Sequence, residues 1–109
     1  GFLDKENCNE LERINTPLSQ FAINIQQKGL EYYKIKYKKN KIDLADPLVM
    51  AAFIDNEIVT KFINCNIKII TNGDKRGKDI LSLNSSGNIK LASKISRYKF
   101  LNNLKKSLV

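Results

Sequence analysis

The stretch KIDLADPLVMAAFID, from Lys41 to Asp55, places an acidic residue and a proline directly before a run of apolar residues. Asp46 followed by Pro47 is typical of a helix start. Aspartate is a good N-cap, and proline suits the first helical position because its φ is fixed and its missing N–H is not needed there. The sequence therefore predicts that Asp46 caps a helix running from Pro47 to about Ile54.

The same pattern occurs upstream, where Thr16 precedes Pro17. Apolar residues follow at helical spacing, and the spacing continues past Gly29. The sequence predicts a helix from Pro17 to Lys39, about six turns long, with Gly29 as a candidate bend. A short helix near residues 9–14 is predicted before it, and residues 40–44 are interpreted as a connecting loop.

The second half of the chain changes in character. NCNIKIIT (64–71) is rich in β-branched residues and predicts a strand. NGDKRG (72–77) is rich in residues typical of turns. DILSL (79–83) and NIKLA (88–92) predict two further short strands. Ser96 then precedes a closing helix whose apolar stripe consists of Phe100, Leu101, Leu104 and Leu108. The order is helices, a small sheet and a helix.

Composition limits the functions that are open to this chain. With 109 residues it forms one domain at most, or part of one. No apolar run approaches the roughly 20 residues of a membrane span. Cys8 and Cys65 stand alone, so the chain has no CxxC motif, and we expect a reduced cytoplasmic protein. The absence of histidine removes the usual general base and the commonest metal ligand.

The net charge of +8 raises the question of nucleic-acid binding. The densest basic run, YYKIKYKKNK from Tyr32 to Lys41, interleaves lysines with aromatic rings, which suits single-stranded nucleic acid. The run is also typical of a helix end, where lysines complement the macrodipole. The sequence favours the helix end, because specific nucleic-acid readers use bidentate arginine and this run has none. A non-catalytic nucleic-acid-binding module stays the alternative function.

Four segments together carry a resemblance to a known family. They are TPLSQFA (16–22), ADPLVMAAFIDNEIV (45–59), NIKIITNGDKRGKDIL (66–81) and NIKLASKISRYKFLNNLKKSL (88–108). Their order resembles the C-terminal third of the calcium-dependent, inosine-uridine-preferring nucleoside hydrolases. The resemblance implies an α/β open-sheet fold, of which residues 1–109 are a single incomplete domain. It also implies hydrolysis of the N-glycosidic bond of purine or pyrimidine ribonucleosides, as used in nucleoside salvage.

The resemblance assigns roles to individual residues. Asp46 matches the family aspartate that binds the catalytic Ca²⁺, and Ala45 replaces the histidine that precedes it in many members. Tyr33 and Tyr37 share one helical face and match the helix that closes over the nucleobase. The family's aspartate-rich N-terminal motif is missing from this sequence. The resemblance therefore implies Ca²⁺ binding and activity only together with an N-terminal half, in a complete enzyme expected to be a homo-oligomer.

Overall fold

The structure is a computed structural model that describes residues 2–109. Residues 2–58 and 97–109 form one compact unit, here called the helical unit, and Val59–Ser96 form a second, here called the sheet unit. The fold class is the predicted mixed α/β arrangement of helices and small sheets. None of the helices in residues 2–109 is long and apolar enough to cross a membrane. That the whole chain is part of one larger domain stays a prediction.

The helical unit contains four helices and a two-stranded sheet. In chain order these elements are β1 (Phe2–Asp4), α1 (Lys5–Arg13), α2 (Pro17–Tyr37), β2 (Lys41–Asp43), α3 (Ala45–Ile54), a 3₁₀ turn (Asn56–Ile58) and α4 (Arg97–Ser107). Strands β1 and β2 pair antiparallel, with Leu3 opposite Ile42. The prediction of a loop over residues 40–44 was therefore wrong, because the N-terminal strand provides a hydrogen-bonding partner for this segment.

The core of the helical unit is built from residues far apart in the sequence. The buried apolar cluster consists of Leu3, Cys8, Leu11, Ile23, Leu44, Ile58, Phe100 and Leu108. Phe100 and Ile58 are almost completely inaccessible, at 1% and 0% exposure. Leu101 and Leu104 pack against this cluster, so the apolar stripe predicted for the closing helix is confirmed.

Arg97, the first residue of α4, holds the two ends of the chain together. Its guanidinium donates hydrogen bonds to the carbonyl of Phe2 at 3.2 Å and to Oδ1 of Asn7 at 2.5 Å. It also lies 3.9 Å from the centre of the Phe2 ring and 4.0 Å from the Asp4 carboxylate. Asp4 in turn caps α1, since its side chain accepts from the backbone N–H of Asn7 at 2.8 Å.

Helix α2 begins as predicted at the Thr16-Pro17 pair. Thr16 Oγ1 accepts from the backbone N–H of Ser19 at 3.0 Å, and Ser19 Oγ accepts from the N–H of Thr16 at 3.0 Å. The helix runs continuously through Gly29 to Tyr37. A Cβ at Gly29 would lie 2.8 Å from Cδ1 of Ile42, so glycine leaves room for the end of that side chain.

Helix α3 starts earlier than the sequence predicts. Its N-cap is Leu44, which makes no side-chain capping hydrogen bond, and Asp46 lies inside the first turn with an exposed side chain. The prediction that Asp46 is the N-cap was therefore wrong. The physical reason is that β2 ends at Asp43 and Leu44 is buried in the core, which places the helix start before Asp46. An acidic residue in the first turn still favours the helix through its dipole.

The sheet unit is a three-stranded antiparallel sheet. It consists of β3 (Val59–Ile69), β4 (Asp79–Leu83) and β5 (Ile89–Ile95), with β3 in the centre. The three strands and the turn at residues 72–77 follow the prediction, and β3 extends further towards the N-terminus. Within the turn, Gly73 and Gly77 have positive φ angles of 82° and 89°, which explains the glycines there.

The burial of two phenylalanines gives a matched test of this packing. Phe100 is 1% exposed and Phe53, on the outer side of α3, is 84% exposed. We expect Phe100→Ala to lower the free energy of unfolding by about 3–5 kcal/mol, because it removes a core ring and leaves a cavity. Phe53→Ala should change it by less than about 0.5 kcal/mol. Urea denaturation of the 109-residue chain followed by circular dichroism measures both, and similar costs would contradict the core described above.

Candidate functional site

The predicted pair Tyr33 and Tyr37 lies on the last two turns of α2. The two ring centres are 5.2 Å apart and the ring planes are inclined by 48°. Tyr33 is partly buried and Tyr37 is 48% exposed. The sequence spacing of four residues therefore correctly predicted that these rings share a face.

Two residues next to this pair were not among the predicted site residues. The Tyr32 ring stands edge-on to those of Tyr33 and Tyr37, at centre distances of 6.0 and 6.3 Å. Lys36 Nζ donates to the Tyr32 hydroxyl at 2.8 Å and lies 5.3 and 5.2 Å from the centres of the Tyr32 and Tyr37 rings. The repeated aromatic and basic residues of YYKIKY were the available sequence signal. Three rings and one ammonium group thus form a single cluster.

The electrostatics of the cluster depend on Lys36. Hydrogen bonding to Tyr32, and secondarily to Tyr37, raises the pKa of the Lys36 ammonium above its ordinary value. A lysine ammonium is protonated at neutral pH, so the cluster carries a positive charge there. A cation beside exposed aromatic rings suits a ligand that combines negative charge with a flat, polarisable surface.

Asp46 lies on a different helix from the tyrosines. It is exposed near the start of α3, where it lines a shallow depression together with Val49, Met50 and Phe53. Ala45 precedes it at the first position of the helix and is also exposed. A methyl group has no proton to donate, so Ala45 cannot act as a general acid.

Asp46 alone does not make a calcium site. Ca²⁺ takes six to eight oxygen ligands, several of them charged. Within residues 2–109 there is no group of three or more His, Cys, Asp or Glu side chains that could hold a metal ion. The part of the chain that the structure describes therefore does not by itself fit the metal implied by the resemblance.

Cys8 is not a candidate nucleophile. Burial, and to a lesser extent the nearby Asp4 carboxylate, raise the pKa of the Cys8 thiol. At neutral pH this thiol is therefore protonated as well as inaccessible, and catalysis by cysteine requires a thiolate that can reach its substrate. The position of Cys8 in the buried cluster is that of a packing residue.

Both helices that carry predicted site residues expose apolar side chains. On α3, Leu48, Ala51 and Ala52 pack against the core, whereas Val49 is 71% and Phe53 84% exposed. On α2, the residues at helical spacing on the outer side are Leu18, Phe21 and Ile25, which are 50%, 63% and 57% exposed. Each helix therefore has two apolar faces, and only one is covered.

The sheet unit also exposes an apolar face. Directly opposite residues of an antiparallel pair lie on the same face, so Ile67 and Leu81 share a face with Leu83 and Ile89. These four side chains are between 37% and 71% exposed. The opposite face is mixed, since it carries the polar pair Asn66 and Ser82 but also Ile80, which is opposite Lys68 and 45% exposed. Exposed apolar side chains of a sheet normally pack against another layer.

Comparison with known proteins identifies a similar fold. No family model matches the sequence, and no curated protein matches it at a significant level. Among solved structures, the chain is similar to a plant nucleoside hydrolase, the PpNRh1 enzyme, with a TM-score of 0.81. The match covers 98% of this chain and 37% of that enzyme's chain, at 18% sequence identity.

This match extends along almost the whole chain but spans little more than a third of the plant enzyme. At 18% identity the similarity establishes a common fold. The match agrees with the resemblance at the level of the fold. The chain has the fold of a segment of a nucleoside hydrolase.

Proposed function

We propose that this chain is the C-terminal part of a ribonucleoside hydrolase fold. The complete fold would cleave the N-glycosidic bond of a purine or pyrimidine ribonucleoside and release ribose and the free base. The observation that carries this proposal is the structural match to the plant nucleoside hydrolase, which covers 98% of the chain. The resemblance described from the sequence segments points to the same family.

The exposed apolar surfaces support the need for a companion segment. A helix that is apolar on all sides is normally buried within a larger core, and α3 combines that pattern with an exposed outer side. The uncovered faces of α2 and of the three-stranded sheet have the same character. In the proposal, an N-terminal half of the fold covers these surfaces and supplies the other catalytic groups.

Within that complete fold, each predicted site residue has a definite role. Tyr33 and Tyr37 would contact the nucleobase through their ring faces, for which their shared position on α2 is suitable. Asp46 would provide one carboxylate ligand to Ca²⁺, and the N-terminal half would have to provide the others. Ala45 leaves activation of the departing base to a residue outside this chain. A cytoplasmic homo-oligomer is part of the same proposal.

The first test concerns the activity of the chain by itself. The isolated 109-residue chain should release no free base from inosine or uridine in the presence of Ca²⁺, because it offers one metal carboxylate and no proton donor at Ala45. Chromatography of the reaction products measures the release. Turnover in the ordinary range of enzymes, ~1–10³ s⁻¹, would contradict the proposed need for a companion segment. Co-expression with an N-terminal nucleoside hydrolase half should restore hydrolysis.

The second test separates the structural and metal-binding roles of Asp46. In the isolated chain Asp46→Asn should lower the free energy of unfolding by less than about 1 kcal/mol, because the side chain makes no capping hydrogen bond and loses only its interaction with the helix dipole. In the complete assembly the same change should weaken Ca²⁺ binding severely, because a charged ligand becomes neutral.

Asp43→Asn is the matched control, since Asp43 is another exposed aspartate that lies three positions away at the end of β2. Calorimetric titration of Ca²⁺ into the parent and both variants compares the affinities. Equal affinity for the parent assembly and the Asp46→Asn assembly would remove Asp46 from the metal site.

A further inference from the structure

We propose that the chain also binds single-stranded nucleic acid, through a surface at the C-terminal end of α2. This region, here called the tyrosine–lysine patch, surrounds the end of the helix and consists of Tyr32, Tyr37, Lys34, Lys36, Lys38 and Lys39. The lysines contact backbone phosphates, and the two tyrosine rings stack on unpaired bases. The binding is proposed for the chain without the N-terminal half, because Tyr32 lies seven residues after Ile25, on the side of α2 that this half would cover in the complete fold. It needs no catalytic group, although Tyr37 is shared with the proposed nucleobase contact.

The charge of the patch identifies an anionic partner. Residues 32–41 contain five lysines and no acidic residue, within a chain of net charge +8, and the one neighbouring acid is Glu31, which lines a depression with Lys34. All four patch lysines are exposed. Helix α2 ends at Tyr37, and Lys38 follows in the left-handed conformation as the C-cap, so Lys38 and Lys39 extend the basic surface beyond the helix. Such a concentration of exposed ammonium groups binds phosphates by releasing counterions.

The exposure of the rings distinguishes this surface from an ordinary helix end. Lysines near a C-terminus complement the helix dipole whatever they bind, but that role gives no reason for exposed aromatic rings beside them. Tyr32 is 51% and Tyr37 48% exposed. Partly exposed rings beside cations are the arrangement with which proteins stack the bases of single strands. The helix-end interpretation is confirmed, since α2 ends at Tyr37 with Lys34 and Lys36 in its last turn, and the exposed rings are the reason to propose binding in addition.

The contacts within the patch bring two rings and one ammonium group together. The Tyr32 hydroxyl accepts from Lys36 Nζ at 2.8 Å, and the same ammonium lies 5.2 Å from the Tyr37 ring centre. The two ring centres are 6.3 Å apart and their planes are inclined by 80°. Two rings at this angle stack on bases that point in different directions, which a flexible single strand permits and a duplex does not.

The partner is expected to be single-stranded and of loosely defined sequence. The patch has no arginine or amide group to form bidentate hydrogen bonds with base edges. Stacking accepts any base, because every base has a π-face, but it requires that the base be unpaired. Fluorescence anisotropy with a fluorescein-labelled oligothymidine of about 15 nucleotides therefore tests the proposal directly, since a site of this kind covers roughly 4–16 nucleotides.

Salt dependence is the first readout. If three phosphates are contacted, the logarithm of the affinity should fall with the logarithm of salt concentration with a slope of about −2.1. Raising the salt from about 50 to about 200 mM should then weaken binding about 18-fold. The oligothymidine should bind the 109-residue chain more tightly than a duplex of the same length does.

Substitutions in the patch separate stacking from charge. Tyr32→Leu combined with Tyr37→Leu should weaken binding at least about fivefold, whereas the corresponding Phe variants keep the rings and should bind nearly as the parent does. Lys34→Gln, Lys38→Gln and Lys39→Gln together should weaken binding and reduce the salt slope. The matched control removes the same charge from the sheet unit, with Lys75→Gln, Lys78→Gln and Lys90→Gln, and should retain affinity.

Several outcomes would overturn the proposal. These are the absence of salt-dependent binding at about 50 mM salt, an equal loss of affinity in the patch and control lysine variants, and unchanged binding when both rings are removed. Equally tight binding of the duplex would overturn the stacking mechanism. Circular dichroism verifies that each variant folds, and Tyr32→Leu alone, at the more exposed ring, replaces the double variant if that one unfolds.

Discussion

The contacts of Arg97 with the N-terminal segment are the interaction on which the helical unit depends. This unit is discontinuous in sequence, because residues 59–96 intervene between its two parts. Arg97 is the first residue after the intervening segment. It joins the second part of the unit to the first by contacts with Phe2, Asn7 and Asp4, all within the first seven residues. The ion pair with Asp4 is partly exposed and contributes little by itself, whereas the charge-assisted hydrogen bond to Asn7 is short. Helix α4 thereby starts where Phe100 can enter the core.

The small core places a second constraint on the molecule. Packing in the helical unit covers one side of α2 and one side of α3, and leaves apolar side chains on the other sides of both helices. The sheet unit likewise leaves apolar side chains exposed around the buried Cys65. Large exposed apolar surfaces on an otherwise well-formed fold are typical of surfaces that meet another part of the same protein or a partner. This agrees with a match that covers nearly all of this chain but 37% of the plant enzyme.

The two proposed activities use different chemical properties of one helix. Tyr33 and Tyr37 present their shared face to a single nucleobase in the proposed hydrolase, whereas Tyr32 and Tyr37 with the neighbouring lysines form an exposed basic surface suited to a polymer. The first activity needs several carboxylates close together to hold a metal ion, and residues 2–109 contain no such group. The second needs only groups that this chain already holds together, so the two proposals can fail or succeed separately.

The local sequence determined those helices whose start signal or apolar spacing is formed by residues close together in the chain. Thr16 and Ser19 form the capping box of α2, and the apolar stripe of α4 follows from its helical spacing. The shared face of Tyr33 and Tyr37 follows from the same rule, because residues four apart are neighbours on any helix. These features needed no knowledge of the rest of the fold.

Tertiary structure decided the features that depend on distant segments. Strands β1 and β2 have three residues each, too few for a recognisable pattern, and they form because each supplies the other's hydrogen bonds. Because of that pairing and the burial of Leu44, α3 starts one residue before Asp46. Asp46 therefore lies inside the first turn as an exposed carboxylate and is not the cap. Ring exposure at Tyr32 was also undetermined by the sequence, because helical spacing says which residues share a face but not whether another element covers that face.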